Sequence, residues 1–235
     1  MLLKVNNIDT YYGLSHILQG VSLEVKEKEI VTLVGRNGAG KTTTLKSILG
    51  LAQVRAGSIE FDGQDISRLP THQVILRGIS YVPEERRIIP GLSVRENIKL
   101  ALLKSHNRER EEEMIERVAQ YFPVLKERLN QDGTSLSGGE QQMLAIARAL
   151  VTDPKVMLID EPTEGLMPLL VESIAEIVLE INRSGVTVLL VEQNIEMALS
   201  ISHRAYVIDE GRIQTSGLSQ DILADEEIQR RYLSV

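Results

Sequence analysis

The sequence contains no cysteine and no tryptophan among its 235 residues. Without thiols, disulfide scaffolds, thiolate zinc sites and cysteine nucleophiles are excluded. No apolar run approaches the ~20 residues that cross a bilayer, and the first residues lack the basic and then apolar pattern of a signal peptide. We therefore expect a cytoplasmic chain with at most peripheral contact to a membrane.

Positive charge is also scarce. The 26 lysine and arginine residues are outnumbered by 33 aspartate and glutamate residues, which gives a net charge of −7. Binding to nucleic acid usually needs a basic face, so we expect no nucleic-acid partner. A content of 43% hydrophobic and 25% charged residues is ordinary for a folded protein. The length predicts one domain with an inserted lobe.

The hydrophobic pattern changes along the chain. In the first third, apolar and polar residues alternate over 21–25, and Asp62-Gly63 is a hairpin-type turn signal. After Gly133, apolar strands alternate with helical patterns, which indicates a parallel sheet. Between these regions, Ser93 and Glu96 predict a capping box. The charged run over 104–118 predicts a solvated helix face rather than a docking surface.

The segment GRNGAGKT at 35–42 matches the phosphate-binding pattern G-x-x-x-x-G-K-[ST]. Glycines let such a loop fold tightly enough for its N–H groups to converge on phosphate oxygens. Lys41 can reach the β and γ phosphates, and the Thr42 hydroxyl can ligate Mg²⁺. The residues predicted to bind the nucleotide here are Gly35, Arg36, Asn37, Gly38, Ala39, Gly40, Lys41, Thr42 and Thr43.

A second motif is the apolar run over 156–159 that ends in Asp160 and Glu161. Acids at the end of such a strand would lie at the carboxyl edge of the sheet, beside the phosphate loop. Asp160 is predicted to hold Mg²⁺ through water, and Glu161 to orient or deprotonate the attacking water. Together the two motifs predict nucleotide binding with hydrolysis.

A third motif, LSGGEQ at 136–141, precedes a predicted helix with Ser137 as its N-cap. Along the chain the phosphate loop comes first, LSGGEQ second and Asp160-Glu161 third. With this order of motifs, the sequence resembles the ATP-binding-cassette (ABC) ATPases over essentially its whole length. The resemblance implies an α/β P-loop NTPase fold with a RecA-like core, an N-terminal antiparallel β subdomain and a helical subdomain. We expect one domain over 1–235, in which 1–83 and 151–235 form the core with the β subdomain. The helical signature subdomain would then span about 84–150.

The resemblance also implies ATP and Mg²⁺ as cofactors and a dimer of two cassettes, identical or not. Tyr12 would stack on adenine, although packing within a strand is an alternative for this residue. The signature segment would act on the ATP held by the opposite subunit, through Leu136, Ser137, Gly138, Gly139 and Glu140.

Three positions depart from the common cassette pattern. Glu84 stands where glutamine is usual and is expected to contact the nucleotide and the metal. Met167 stands where aspartate is usual. Gln193 stands in the place of the switch histidine; we expect it to take part in catalysis as a hydrogen-bond donor to the γ-phosphate, without a positive charge.

The segments VPEERR, LSGGEQQ, EPTEGL and VEQN together resemble the LivF-type ATP-binding subunit of branched-chain amino-acid importers. That likeness implies two membrane permeases, an extracytoplasmic substrate-binding protein and a location on the cytoplasmic face of the inner or plasma membrane. Cassettes of urea or amide importers and of lipopolysaccharide exporters are similar and stay open. A soluble cassette of DNA repair or translation fits less well, since such cassettes usually carry a long insertion or tandem copies. A small-molecule kinase also fits less well, because it would leave 136–141 without a role.

The remaining candidates for chemistry are expected to be structural or solvated. The pair Arg86-Arg87 is interpreted as solvated rather than as a contact to a permease. The four histidines show no spacing typical of metal ligands; they are His16, His72, His106 and His203.

Overall fold

Residues 1–102 and 111–233, which the computed structural model describes, form two β-sheets flanked by helices. The strands are β1 (Leu3–Tyr12), β2 (Ser15–Val25), β3 (Ile30–Val34), β4 (Val54–Phe61), β5 (Gln64–Asp65), β6 (Ile79–Val82), β7 (Val156–Asp160), β8 (Thr187–Glu192), β9 (Arg204–Asp209) and β10 (Arg212–Leu218). The helices are α1 (Lys41–Ile48), α2 (Thr71–Leu76), α3 (Val94–Ala101), α4 (Glu111–Tyr121), α5 (Pro123–Glu127), α6 (Gly138–Leu150), α7 (Pro168–Arg183), α8 (Ile195–Ile201), α9 (Ser219–Ala224) and α10 (Glu226–Ile228). A 3₁₀ turn at Gly133–Ser135 and a π-helical turn at Gln229–Leu233 complete the described elements.

The first sheet is antiparallel, with the strand order β2-β1-β4-β5. The alternation predicted for 21–25 is confirmed, since Val21, Leu23 and Val25 are buried. Asp62 and Gly63 have φ values of 51° and 72°. Two consecutive residues with positive φ match the twist of a tight hairpin, and they join β4 to β5 as the sequence predicts.

The second sheet has the order β10-β9-β3-β8-β7-β6 and is parallel apart from β10, which pairs antiparallel with β9. Strands β3, β7 and β8 are buried along their whole length, which accounts for their continuous apolar sequences. Because these strands run in one direction, their carboxyl ends meet at one edge of the sheet, here called the carboxyl edge. The predicted α/β class with a parallel sheet is confirmed.

Alternate residues of the parallel sheet enter two hydrophobic cores. Ile159 and Leu190 belong to the core that includes α6 and α7. Leu158 and Leu189 belong to the other core, which includes α1 and the antiparallel sheet. The parallel sheet is therefore covered on both faces, and the start of α1 is fixed at its carboxyl edge.

Helices α3 to α6 lie within the predicted helical lobe. The capping box predicted at Ser93 and Glu96 begins α3, and a second one at Ser137 and Glu140 begins α6. The division of the chain near 84 and 150 stays a prediction. None of the helices in the two described ranges is long and apolar enough to cross a bilayer.

The charged run over 104–118 falls partly on α4, and its residues 104–110 lie outside the described part of the chain. Within α4, Ile115 and Val118 are buried, whereas Glu113 and Glu116 are exposed. Over the described residues, the prediction of a helix with a solvated charged face is confirmed.

Asn97 on α3 is buried and holds the loop that precedes the helix. Its Oδ1 accepts a hydrogen bond from the Ile89 N–H at 3.0 Å, and its Nδ2 donates to the carbonyls of Leu92 and Ser93 at 3.1 Å each. We expect Asn97→Ala to lower the free energy of unfolding by about 2 kcal/mol, because buried backbone groups lose their partners. Urea denaturation measures this loss.

The matched control is Arg95→Ala on the same helix, where an exposed ion pair with Glu112 at 2.7 Å is lost. Exposed ion pairs stabilise little, so the control should lose much less stability than Asn97→Ala. Equal losses in the two variants would contradict the anchoring role of Asn97.

Candidate functional site

The predicted phosphate loop connects β3 to α1 at the carboxyl edge. Gly40, directly before the helix, has a φ of 112°, and a Cβ atom there would lie 2.8 Å from the Leu18 side chain. Only glycine fits this backbone without strain. A tight glycine loop that leads into a helix start presents backbone N–H groups and the positive end of the helix dipole to one point. The local geometry is that of an anion cradle.

Lys41 lies inside this loop and is only 3% exposed. Its Nζ donates hydrogen bonds to the carbonyl oxygens of Gly35 at 2.9 Å and Arg36 at 3.1 Å. The same ammonium lies 3.1 Å from Oε1 of Glu161. A buried cation needs such partners, so the loop and the end of β7 are held together by one charge.

Glu161 follows β7 directly and has a φ of 44°, a left-handed conformation that is uncommon for glutamate. Its N–H donates to the carbonyl of Val191 on β8 at 2.8 Å. Backbone outliers of this kind concentrate at functional sites. Here the outlier accompanies the placement of the carboxylate next to Lys41.

Asp160, the last residue of β7, has no solvent exposure. Its Oδ1 accepts a hydrogen bond from the Thr42 hydroxyl at 2.9 Å, and its Oδ2 accepts one from the Tyr81 hydroxyl at 2.8 Å. Burial raises the pKa of Asp160, and these hydrogen bonds oppose the rise. The pKa of Tyr81 is raised too, first by burial and then by the charge of Asp160.

Glu84, in the loop after β6, is paired with a second acid. The hydrogen bond that its carboxyl shares with Glu164 raises the pKa of Glu84, and burial and the nearby charges of Glu161 and Asp160 add to the rise. Of the three predicted metal ligands, the structure joins Thr42 and Asp160, while Glu84 bonds to Glu164 instead. In residues 1–102 and 111–233, no group of three or more histidine, aspartate or glutamate side chains is arranged to hold a metal ion.

The segment over 136–140 forms the start of α6. The Ser137 hydroxyl accepts a hydrogen bond from the Glu140 N–H, and the Glu140 carboxylate accepts one from the Ser137 N–H at 2.9 Å. A Cβ atom on Gly139 would lie 2.6 Å from a methyl group of Leu170 on α7, so a larger residue would require the Leu170 side chain to shift. Ser137 and Gly138 are exposed, which leaves the helix start accessible from outside.

Comparison with known proteins places this arrangement in a family. Residues 18–164 match the family described as ABC transporter. The chain belongs to the ABC transporter ATPases. It binds ATP and is an ATPase coupled to transport.

Three relatives resemble this ABC ATPase over nearly their whole length. The branched-chain amino-acid transport ATP-binding protein BraG of Pseudomonas aeruginosa is 42% identical, with 99% of each chain covered. The lipopolysaccharide export ATP-binding protein LptB of Haemophilus influenzae is 38% identical, with 99% of this chain and 97% of LptB covered. The probable branched-chain amino-acid transport protein LivF of Archaeoglobus fulgidus is 36% identical, with 100% and 99% covered.

Solved ABC cassettes share the fold. The ADP conformation of MJ1267, an ATP-binding cassette of an ABC transporter, aligns with a TM-score of 0.86 at 26% identity and covers 97% of both chains. A dimeric post-hydrolysis state of the cassette MJ0796, bound to ADP and Pi, aligns with a TM-score of 0.83 at 27% identity, with 93% and 99% covered. The P-loop NTPase fold of the ABC ATPases is therefore confirmed.

Two neighbouring tyrosines of this ABC ATPase differ in their surroundings. The Tyr11 ring stacks on His16 with centroids 4.1 Å apart, and the Arg55 guanidinium lies 4.5 Å from the Tyr11 centroid. Tyr12 is 48% exposed. Packing within the sheet thus occupies Tyr11 and leaves Tyr12 open to a ligand.

Gln193 follows β8 at the carboxyl edge, and its side chain is exposed. The register pairs Asp160 with Val191, so Gln193 lies two residues beyond the strand position that faces Asp160. Met167, in the loop after Glu161, is 68% exposed.

The predicted structural roles of two histidines are confirmed. His16 also bonds to Asp9 at 3.1 Å, and Nδ1 of His203 accepts from the Ile30 N–H at 3.0 Å. His106 lies outside the described residues. Of the two arginines predicted to be solvated, Arg87 pairs with the exposed Glu85 at 3.1 Å.

Three residues of the site escaped the sequence analysis, namely Tyr81, Thr163 and Glu192. Thr163 and Glu192 are buried and hydrogen-bonded to each other at 2.6 Å. An acid at the end of the apolar strand β8 repeats the pattern of β7, and that repetition is the signal that could have identified Glu192.

The buried carboxylate of Asp160 is expected to lower the stability of the fold, although the predicted magnesium site needs it. A carboxyl group whose pKa is higher in the folded than in the unfolded chain costs stability as the pH rises between the two values. We expect Asp160→Asn to raise the free energy of unfolding at pH 8 by about 1 kcal/mol. The gain should shrink as the pH falls toward about 4, as measured by urea denaturation across that range.

Asp65→Asn is the control with the opposite sign. Hydrogen bonds from Ser67 lower the pKa of Asp65, so this variant should lose stability at pH 8 and approach the wild type in acid. If Asp160→Asn were less stable than the wild type at every pH, the hydrogen bonds from Tyr81 and Thr42 would outweigh the cost of the buried charge.

Proposed function

We propose that this chain is the ATP-hydrolysing subunit of an importer for branched-chain amino acids. The observation that carries the ATPase part is the convergence of Lys41, Thr42, Asp160 and Glu161 at one edge of the sheet. The amino-acid part is supported by the similarity to BraG and LivF. Because no residue of a cassette needs to contact the transported molecule, the site itself does not select the substrate.

In this proposal the loop over Gly35–Thr43 surrounds the phosphates, with its backbone N–H groups as donors. Lys41 faces the β and γ phosphates, and the exposed ring of Tyr12 stacks on adenine. The ion pair of Lys41 with Glu161 supports this assignment, because an incoming triphosphate offers the ammonium a stronger anionic partner. Lys41 then leaves the carboxylate of Glu161 available to water.

Mg²⁺ is the metal that the donor set fits. The Thr42 hydroxyl and the Asp160 carboxylate, 2.9 Å apart, are hard oxygen ligands, and Mg²⁺ is commonly held by one or two such groups together with phosphate oxygens. When bound, Mg²⁺ would neutralise charge on the β and γ phosphates. Glu84 would contact the same region from the loop after β6.

For hydrolysis, Glu161 orients the attacking water and accepts its proton. Gln193 donates a hydrogen bond to the γ-phosphate as charge develops there. Glu161 follows β7 and Gln193 follows β8, and these parallel strands are neighbours that end at the carboxyl edge. Both residues would therefore lie on the same side of a bound γ-phosphate.

A second cassette completes the site in this proposal. The signature segment over Leu136–Glu140 would bind the γ-phosphate held by the partner, through the exposed start of α6. Two apolar side chains near the Glu161 loop are exposed in the single chain, Met167 at 68% and Leu169 at 73%. Their exposure supports contact of this surface with the second cassette. Exposed apolar patches commonly mark interaction sites.

The proposed assembly contains two cassettes, identical or different, and two integral-membrane permeases. An extracytoplasmic substrate-binding protein would deliver leucine, isoleucine or valine, and the cassettes would lie on the cytoplasmic face of the membrane. The helical lobe over about 84–150 would carry the signature, and 1–83 with 151–235 would hold the nucleotide.

Glu161→Gln separates binding from catalysis. We expect its ATP affinity to stay near that of the wild type, while turnover falls by at least about a hundredfold because the base is lost. ATP should then trap the closed dimer, which size-exclusion chromatography detects. Lys41→Ala is the comparison variant and should lose ATP binding itself. If the affinity of Glu161→Gln fell as far as its turnover, Glu161 would be a binding residue.

Uptake by whole cells tests the transported substrate. Deleting the gene in its host should abolish high-affinity uptake of radiolabelled leucine, and the wild-type gene should restore it while the Glu161→Gln gene should not. Lipopolysaccharide export is the second candidate, supported by the similarity to LptB. Unchanged leucine uptake together with a defect in the outer membrane would favour that candidate.

A further inference from the structure

Glu192 is a buried acid that the proposed reaction does not use. It is the last residue of β8, directly before Gln193, and it is 1% exposed. Within residues 1–102 and 111–233 it forms no ion pair. Burying a carboxylate without a cation is costly unless hydrogen bonds compensate, so the donors that satisfy Glu192 indicate why it is there.

Each carboxylate oxygen of Glu192 serves a different loop. Oε1 accepts from the Thr163 N–H at 2.9 Å and from the Thr163 hydroxyl at 2.6 Å. Oε2 accepts from the N–H groups of Gln193 at 2.8 Å and Asn194 at 2.9 Å. One rigid group therefore joins the loop after β7 to the loop after β8.

The two loops carry the residues assigned to hydrolysis. Thr163 lies two positions after Glu161, and the Glu164 N–H donates back to the Glu161 carbonyl at 3.3 Å. On the other side, Asn194 caps α8 by accepting from the Met197 N–H at 3.1 Å. A shift of either loop relative to the other would break two hydrogen bonds to a buried charge.

We propose that Glu192 is a positioning residue that fixes Glu161 and Gln193 relative to each other for attack on the γ-phosphate. This inference rests on the proposed roles of those two residues. An ionised carboxylate is the side chain that suits the position, because four donors face it and it has only acceptors. A glutamine would present its NH₂ group to one pair of donors and release one of the loops.

The first test compares Glu192→Gln with Glu29→Gln. Glu29 is 8% exposed, accepts from the Lys26 N–H at 2.9 Å and pairs with Arg204 at 3.4 Å. It precedes β3, so it lies at the amino edge of the parallel sheet, opposite the loops. Both variants lose a buried carboxylate, but only Glu192→Gln loses the link between the loops.

We expect Glu192→Gln to lower kcat for ATP by about tenfold or more, because small misplacements of reacting groups are costly. The dissociation constant for a fluorescent ATP analogue should stay within about threefold. Glu29→Gln should keep kcat within about twofold of the wild type, even if its urea midpoint falls as far as that of Glu192→Gln. Equal losses of kcat in both variants, or a tenfold loss of ATP affinity in Glu192→Gln, would overturn the proposal.

Amide hydrogen exchange gives a readout that does not depend on activity. In Glu192→Gln, the Thr163 N–H and at least one of the Gln193 and Asn194 N–H groups should exchange faster, whereas Glu29→Gln should leave them unchanged. Thr163→Val serves where Glu192→Gln fails to fold, since it removes only the hydroxyl donor. It should lower kcat without weakening ATP binding, and unchanged kcat would overturn the proposal.

Measuring Glu161→Gln in the same assays distinguishes failure of the positioning role of Glu192 from failure of the proposed catalytic site. If Glu161→Gln abolishes turnover as expected and Glu192→Gln does not reduce it, the positioning role fails alone. If Glu161→Gln keeps its turnover, the proposed site assignment itself is wrong.

Discussion

The buried ammonium of Lys41 is the charge on which the arrangement of the site depends. At 3% exposure it requires oxygen partners, and it takes them from two loop carbonyls and from Glu161. The loop can offer its carbonyls because glycine permits the turn at Gly40. The end of β7 offers the carboxylate of Glu161, whose backbone is left-handed. One cation thus fixes two loops that come from distant parts of the chain.

The parallel sheet makes this convergence possible. Thr42 and Asp160 are separated by 118 residues, and Tyr81 and Asp160 by 79, yet each pair shares a hydrogen bond. Bringing such distant segments together costs loop-closure entropy, which burial of β3, β7 and β8 on both faces offsets. The site therefore depends on both hydrophobic cores. They make the sheet a rigid scaffold, and the loops at its carboxyl edge carry the functional groups.

Features that depend on local sequence were predictable, and features that depend on tertiary contacts were not. The glycine loop, the acids at the end of β7 and the capping box at Ser93 each follow from a few adjacent residues. The bond from Thr163 to Glu192 spans 29 residues and depends on which strands are neighbours, which the motifs do not specify. Tyr81 belongs to none of the motifs, although it lies on β6 beside β7 and its hydroxyl donates to Asp160. The packing of Tyr11 beside the exposed Tyr12 involves tertiary contacts with His16 and Arg55.

The negative charge of the carboxyl edge bears on the proposed dimer of two cassettes. Glu84, Glu164, Asp160 and Glu161 lie near enough for three of them to raise the pKa of Glu84, and Lys41 is already neutralised by one of them. A triphosphate brings further negative charge to this edge, and like charges at such spacing repel strongly in a poorly screened site. The proposed Mg²⁺ would offset part of this repulsion, and positive groups from a partner would offset more. In the proposed dimer, the start of the partner's α6 would be a source of such charge. The electrostatics of one chain thus supports the proposed composite site of two cassettes.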